Sequence, residues 1–183
     1  TNPTGVYGAS KLASEVMTRM YAKRYNFPFT IIRPSAIYGP TDSNRRVVQL
    51  FIENAMNGEP ITLHDGGGAE LDFSYVDDVA DGLFLATKKE EAKDEVFNLT
   101  YGQGRSLKVL AELVKQHFPN VEIINKPISS DIRRPSRGAL DVTKAKKLLG
   151  YQPRVSLEEG IKKFLLRTNS LTYHVKDINL FNL

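Results

Sequence analysis

The 183-residue chain contains no cysteine. A disulfide framework and a thiolate metal site are both excluded. The absence fits a reducing compartment, and a cytoplasmic location is expected. No apolar run approaches the roughly 18 residues that a membrane-spanning helix needs. The opening Thr1-Asn2-Pro3 has no methionine and no signal-type basic region. It reads as the start of a chain cut from something longer. Charge of one sign is also scarce. Lys and Arg number 25 against 21 Asp and Glu, a net charge of +4. That mild, dispersed excess suits a small anion and gives no footprint for nucleic acid. No basic helix, aromatic platform, internal repeat or low-complexity tract is present. The cluster Asp65-Gly66-Gly67-Gly68 lacks the following Lys-Ser/Thr and the strand-to-helix setting of a phosphate loop, so it reads as a turn. What remains is ordinary for a globular protein of one domain or one and a half: 41% apolar and 25% charged residues.

The stretch Tyr7-Gly8-Ala9-Ser10-Lys11 carries chemistry. Residues four apart on a helix lie on one face, so Tyr7 and Lys11 point the same way. A free tyrosine, with a pKa of about 10, is a poor base at neutral pH. A nearby ammonium favours the phenolate. Such a pair can take a proton from an alcohol while a hydride leaves the same carbon for a cofactor. Taken alone, Tyr-x-x-x-Lys is also what a solvated pair on a helix looks like. Its weight comes from the motifs downstream of it.

Asn2-Pro3-Thr4-Gly5 reads as a turn. Ala9, Leu12, Ala13, Val16, Met17 and Met20 then mark one apolar helix face, with the methionines read as core filler and Asn26 and Pro28 as the stop. Phe29-Thr30-Ile31-Ile32 predicts a strand buried on both faces, as in parallel sheets. Arg33 to Pro40 forms the loop beyond it, where open α/β sheets bind ligands. Val47, Val48, Phe51, Ile52 and Ala55 predict a helix ending at Gly58. Short strands come next at residues 61–63, 73–76, 96–99 and 121–124. Asp77 is read as the cap of a helix through Val79, Ala80, Leu83, Phe84 and Ala86. Asp77-Asp78 is better explained by capping and dipole compensation than as paired catalytic or metal carboxylates. Residues 88–95 read as a solvated helix end or loop. Ser106 caps a helix with Leu107, Leu110, Ala111, Leu113 and Val114 on its apolar side. Asp141 caps a short helix stopped by Gly150, and Ser156-Leu157-Glu158-Glu159 opens a helix through about Leu166. Residues 168–183 show no clear period.

The order of these pieces resembles a family. Tyr7-Gly-Ala-Ser-Lys11 is followed by Arg33-Pro-Ser-Ala-Ile-Tyr-Gly-Pro40 and Leu71-Asp-Phe-Ser-Tyr-Val-Asp-Asp78. Val96-Phe-Asn-Leu99 and Arg134-Pro135, leading to Asp141, come next. Ala145-Lys-Lys-Leu-Leu-Gly-Tyr-Gln-Pro153 and Ser156-Leu-Glu-Glu-Gly160 complete the series. From Thr1 to about Leu166 the chain is similar to the extended short-chain dehydrogenase/reductases that act on nucleotide-diphosphate sugars, the 4-epimerases and 4,6-dehydratases. The fold implied is α/β. It is the C-terminal part of a doubly wound Rossmann-type sheet with a smaller α/β substrate-binding domain. Residues 1–44 would end the NAD-binding domain, 45–167 would be mainly the interleaved substrate domain, and 168–183 a tail.

Carried over by that resemblance, Tyr7 is the catalytic base. Lys11 assists it and contacts the nicotinamide ribose. Pro34, Ser35 and Ala36 face the nicotinamide of NAD. Arg46 and Arg134 meet the diphosphate of the nucleotide-diphosphate sugar, and Thr62, Leu63 and His64 border its nucleobase. No metal site, nucleic-acid partner or membrane is implied, and the complete enzyme is expected to be a homodimer. Two departures matter. The family's Gly-x-x-Gly-x-x-Gly loop is absent from these residues, as is the catalytic Ser or Thr upstream of the tyrosine, so the chain reads as a C-terminal part that is inactive alone. The family's Arg-Asp-Phe triplet appears as Leu71-Asp72-Phe73, which removes one phosphate contact. The stretch Leu71 to Asp78 leans to the 4-epimerase branch. The alternatives are a 4,6-dehydratase and a non-catalytic nucleotide-sugar binding module, the latter having no need of Tyr7 with Lys11.

Overall fold

A computed structural model describes Pro3, Asp42 and residues 5–40, 44–127 and 137–178, with side chains through Arg167. Helix α1 spans Val6–Tyr25 and stops where Asn26 adopts the left-handed conformation, its N–H donating to the Ala22 carbonyl. Strand β1 (Thr30–Pro34) ends at a proline, which has no N–H to continue a ladder. It pairs in parallel with β6 (Glu95–Leu99), Thr30 opposite Glu95 and Pro34 opposite Leu99. The other pairs are short. Parallel pairs join β2 (Ile37–Tyr38) to β5 (Ser74–Tyr75) and β3 (Ile61–His64) to β8 (Ile123–Lys126). β4 (Glu70–Asp72) and β7 (Gly104–Ser106) run antiparallel.

Helices fill the spaces between them. α2 (Val47–Met56), α4 (Leu107–His117) and α6 (Leu157–Ile178) enclose the larger core, around Phe51, Ile52, Ile61, Leu110 and Ile161. α3 (Val76–Lys88) and α5 (Thr143–Leu149) pack with β6 around Phe97, Leu99, Leu149 and Tyr151. Local chemistry sets the helix ends. Ser106 Oγ accepts from the Val109 N–H at 3.2 Å, and Ser156 Oγ accepts from the Glu159 N–H at 3.2 Å. Asp141 Oδ1 accepts from the Thr143 N–H at 2.8 Å, but the N-cap of α5 is Val142 and not, as expected, Asp141. Gly150 closes α5 in the left-handed conformation. Among the described residues no helix is long and apolar enough to cross a membrane.

Several expectations are corrected. The apolar face of α1 is not core: Val16, Met17 and Met20 are more than half exposed, and Ala22 is the one buried residue of the helix. Ala9 and Ala13 are exposed as well, and Leu12 is half-buried. β1 is half-buried, because β6 is its one partner among the described strands. Asp77 does not cap α3. Tyr75 holds that position, and Asp77 and Asp78 lie in the first turn, where carboxylates complement the helix dipole. Asp78 is also buried and accepts from the N–H groups of Arg154 and Val155 at 3.0 and 2.9 Å. Within 88–95, Glu90–Ala92 form a short 3-10 turn with Ala92 buried. α6 continues past Leu166 to Ile178.

Candidate active site

A cavity of about 460 Å³ opens beyond the carboxyl end of β1. Open α/β sheets bind ligands at such a place. Five parts of the chain meet there. Tyr7 comes from the first turn of α1. Pro34 to Tyr38 span the end of β1, the following loop and β2. Arg46, Val47 and Val48 open α2, Leu71 and Phe73 flank the end of β4, and Arg137 closes the ring. Of the residues carried over by resemblance, Tyr7, Pro34, Ser35, Ala36 and Arg46 therefore line one cavity.

The two tyrosines differ sharply. Tyr7 is 71% exposed, and the Lys11 ammonium lies 5.5 Å from its ring centroid. Lys11 is not part of the cavity wall but stands one helical turn behind it. Tyr38 is buried edge-on against Phe73 and Tyr75, and its hydroxyl donates to the Ser156 carbonyl at 3.3 Å. Burial, with the nearby Tyr75 and Asp78, pushes the Tyr38 phenol well above its ordinary range. It is a wall and not a base. A Cβ at Gly160 would come within 1.9 Å of the Tyr38 hydroxyl, so α6 can approach this closely only with glycine there.

Ser35 is buried, and its hydroxyl has no hydrogen-bond partner among the described residues. Buried polar groups are ordinarily paired, so this hydroxyl is available to a water or a ligand atom in the cavity. The next residue, Ala36, has φ of 36° and turns the chain into β2. Arg46 stands at the N-terminal flank of α2, and its Nη1 donates to the Ile37 carbonyl at 3.5 Å. The first N–H groups of α2, which have no partner within the helix, add to the attraction for an anion. Arg137 donates its backbone N–H to the Glu70 carbonyl at 3.0 Å, which fastens it beside β4. Asp72, between two wall residues, is wholly buried. Its carboxylate accepts from Gly102 N–H at 3.1 and 3.2 Å and from Leu140 N–H at 3.0 Å, so the segment bearing Arg137 is held to the wall.

The remaining predicted positions lie elsewhere. Thr62, Leu63 and His64 are on β3, outside the residues that line this cavity. Leu63 is buried in the core, and His64 Nδ1 is buried without a partner among the described residues. Arg134 lies outside the described residues. The sequence pattern does not mark Arg137, Tyr38 or Phe73 as site residues. Arg137 is brought in by a hydrogen bond spanning 67 residues of sequence, which no local pattern announces. Among the described residues, α1 is tied to β1 by an ion pair. Arg33 Nε and Nη2 donate to the two carboxylate oxygens of Glu15 at 2.7 and 2.6 Å.

The model of the NAD dependent epimerase/dehydratase family matches residues 1–100, more than half of the chain. The chain belongs to that family. Relatives of this family member include dTDP-L-rhamnose 4-epimerase of Burkholderia thailandensis, 32% identical over 165 residues, a match covering 87% of this chain and 45% of the relative. Human dTDP-D-glucose 4,6-dehydratase is 31% identical over 173 residues, covering 88% and 47%. The crystal structure of Thermotoga maritima UDP-glucose 4-epimerase with UDP-glucose superposes with a TM-score of 0.85 at 32% identity, covering 93% of this chain and 55% of that one. The chain thus spans about half the length of the relatives it matches, and its Rossmann-type α/β fold is the one these enzymes share.

Proposed function

We propose that these residues form the tyrosine–lysine and sugar-nucleotide half of an NAD-dependent nucleotide-diphosphate-sugar 4-epimerase that works through a transient 4-keto sugar. One observation carries the proposal. Tyr7, backed by Lys11, opens onto the same cavity as Arg46 and Arg137. The residues present fit the nicotinamide end of the cofactor, since Pro34, the orphan hydroxyl of Ser35 and the turned backbone of Ala36 line that cavity beside Tyr7. When bound, NAD supplies the hydride acceptor and donor for C4. Tyr7 takes the proton of the sugar 4-hydroxyl and gives it back, and the Lys11 ammonium stabilises the phenolate. Arg46 and Arg137 hold the diphosphate, because a planar guanidinium pairs two phosphate oxygens at once. By the family resemblance, Arg134 joins them, and Thr62, Leu63 and His64 border the nucleobase.

The 183 residues contain no Gly-x-x-Gly-x-x-Gly loop. We therefore propose that this chain by itself holds NAD weakly and does not turn over. The similarity to a 4,6-dehydratase at 31% identity, beside 32% for a 4-epimerase, keeps the dehydratase as the second reading. Proton NMR of the product formed from UDP-glucose or dTDP-glucose, by an enzyme joining these residues to a glycine-rich NAD loop, separates the two. Epimerisation inverts C4 and leaves the 6-hydroxymethyl intact. Dehydration produces a 6-methyl doublet beside a 4-ketone. Binding without either product would leave a nucleotide-sugar binding module.

A further inference from the structure

Tyr7, Lys11, Glu15 and Arg19 recur at four-residue intervals along α1, so they form one stripe. Lys11 therefore stands between the ring it serves and a carboxylate. Lysine and glutamate at this spacing attract each other, and an unengaged Glu15 would compete with Tyr7 for the ammonium. Arg33, arriving from β1, removes that competitor. Its Nε and Nη2 take both oxygens of Glu15, at 2.7 and 2.6 Å. The side chains are 36% and 17% exposed, so the pair is partly withdrawn from water. A planar fork binding two oxygens is stronger and better directed than a lysine ammonium, which acts as a point charge. Arg33 accordingly holds the Glu15 carboxyl below the usual range. On the far side of Glu15, the Arg19 guanidinium is drawn over the Phe29 ring, 5.3 Å from its centroid. The Lys11 ammonium is left 5.5 Å from the Tyr7 ring centroid.

We propose that Arg33 is a positioning residue for the Tyr7–Lys11 pair: by engaging both oxygens of Glu15 it reserves the Lys11 ammonium for Tyr7. The proposal rests on the reading of Tyr7 and Lys11 as the acid–base pair. Arg33 itself is not among the residues that line the cavity.

The test uses the 183-residue chain and no turnover. Protons of a lysine ε-methylene lying over an aromatic ring move upfield in the NMR spectrum. The Lys11 signal is compared in the unaltered chain, Arg33→Met, Glu15→Gln and the double variant, with Tyr7→Leu giving the shift without the ring. The upfield shift should be present in the unaltered chain and lost in Arg33→Met, where Glu15 is released. It should persist in Glu15→Gln, which breaks the ion pair but also removes the competitor, and it should return in the double variant. A pair that merely tethered α1 to β1 would lose the shift in Glu15→Gln as well, and that result overturns the proposal. So does an unchanged shift in Arg33→Met, the result expected if the freed Glu15 turned to Arg19. If Arg33→Met does not fold, Arg33→Lys decides, because a point charge engages Glu15 less completely than the fork: a partial loss of the shift supports the proposal and an unchanged shift overturns it. Because no catalysis is measured, failure of the epimerase reading and failure of this proposal are distinct results.

Discussion

Replacing Asp72 should damage both the fold and the cavity. Asp72 has no solvent exposure and lies between Leu71 and Phe73, two residues of the cavity wall. Its carboxylate receives the N–H groups of Gly102 and Leu140. A hydrogen bond to a charged group contributes about 1.5–3 kcal/mol, so two such donors set an upper figure of about 3–6 kcal/mol for Asp72→Ala. Both donors sit on partly exposed segments and regain some water, which places the expected loss near 3 kcal/mol. Asp72→Asn keeps one acceptor oxygen but turns an NH₂ toward the donors, and should lose about half as much. Urea unfolding followed by far-UV circular dichroism measures this. With a slope of about 2–3 kcal/mol/M, the Asp72→Ala midpoint should fall by roughly 1 M. A midpoint within about 0.2 M of the unaltered chain would put Asp72 among ordinary surface positions, which change stability by about 0.5 kcal/mol or less, and would refute the account of how Arg137 is held.

Arg46→Ala and Arg137→Ala should each weaken binding of UDP-glucose or dTDP-glucose by about one to two decades, the equivalent of one charge-assisted contact, as read by calorimetry. In a complete enzyme Arg134→Ala should raise KM by a similar factor with kcat little changed, since the diphosphate does not react. Arg134→Lys should recover part of the loss, and an unchanged KM would remove Arg134 from the site. Titration of the 183-residue chain with NAD should show weak binding or none, and micromolar affinity would contradict the assignment of the missing glycine loop. The Glu15 carboxyl is held low by Arg33, so its contribution to stability is present above the unfolded value of about 4.3 and fades as pH falls through the lower folded value. Glu15→Gln should therefore lower the urea midpoint at pH 7 and converge with the unaltered chain in acid. A difference that stays constant with pH would show that the ion pair is not its source.

Much of this architecture is legible in the sequence because it rests on local chemistry. Ser106 and Ser156 accept the N–H groups that their spacing predicts, and Asn26 and Gly150 turn left-handed where their helices stop. The four-residue interval from Tyr7 to Lys11 places both on one face, as observed. What escapes depends on distant partners. Strands β2, β4 and β7 are two or three residues long, too short to show a period of two, and exist through pairing with remote segments. The exposed stripe of α1 and the half-buried β1 look like core because periodicity reports an apolar face without reporting what covers it. Asp78 looks like a helix-end charge, yet its oxygen serves Arg154 and Val155, more than 70 residues away. Arg137 enters the cavity through Glu70 and Asp72, so only the folded chain identifies it.

The central claim is that Tyr7 moves the proton of the sugar 4-hydroxyl. Its most direct test is a pair of Michaelis measurements, with and without Tyr7→Phe, in an enzyme uniting these residues with a glycine-rich NAD loop. Phenylalanine keeps the ring and removes only the proton acceptor. Turnover should fall by about 10² to 10⁴-fold in kcat, with KM for the nucleotide sugar nearly unchanged. A kcat close to that of the unaltered enzyme would contradict this role of Tyr7.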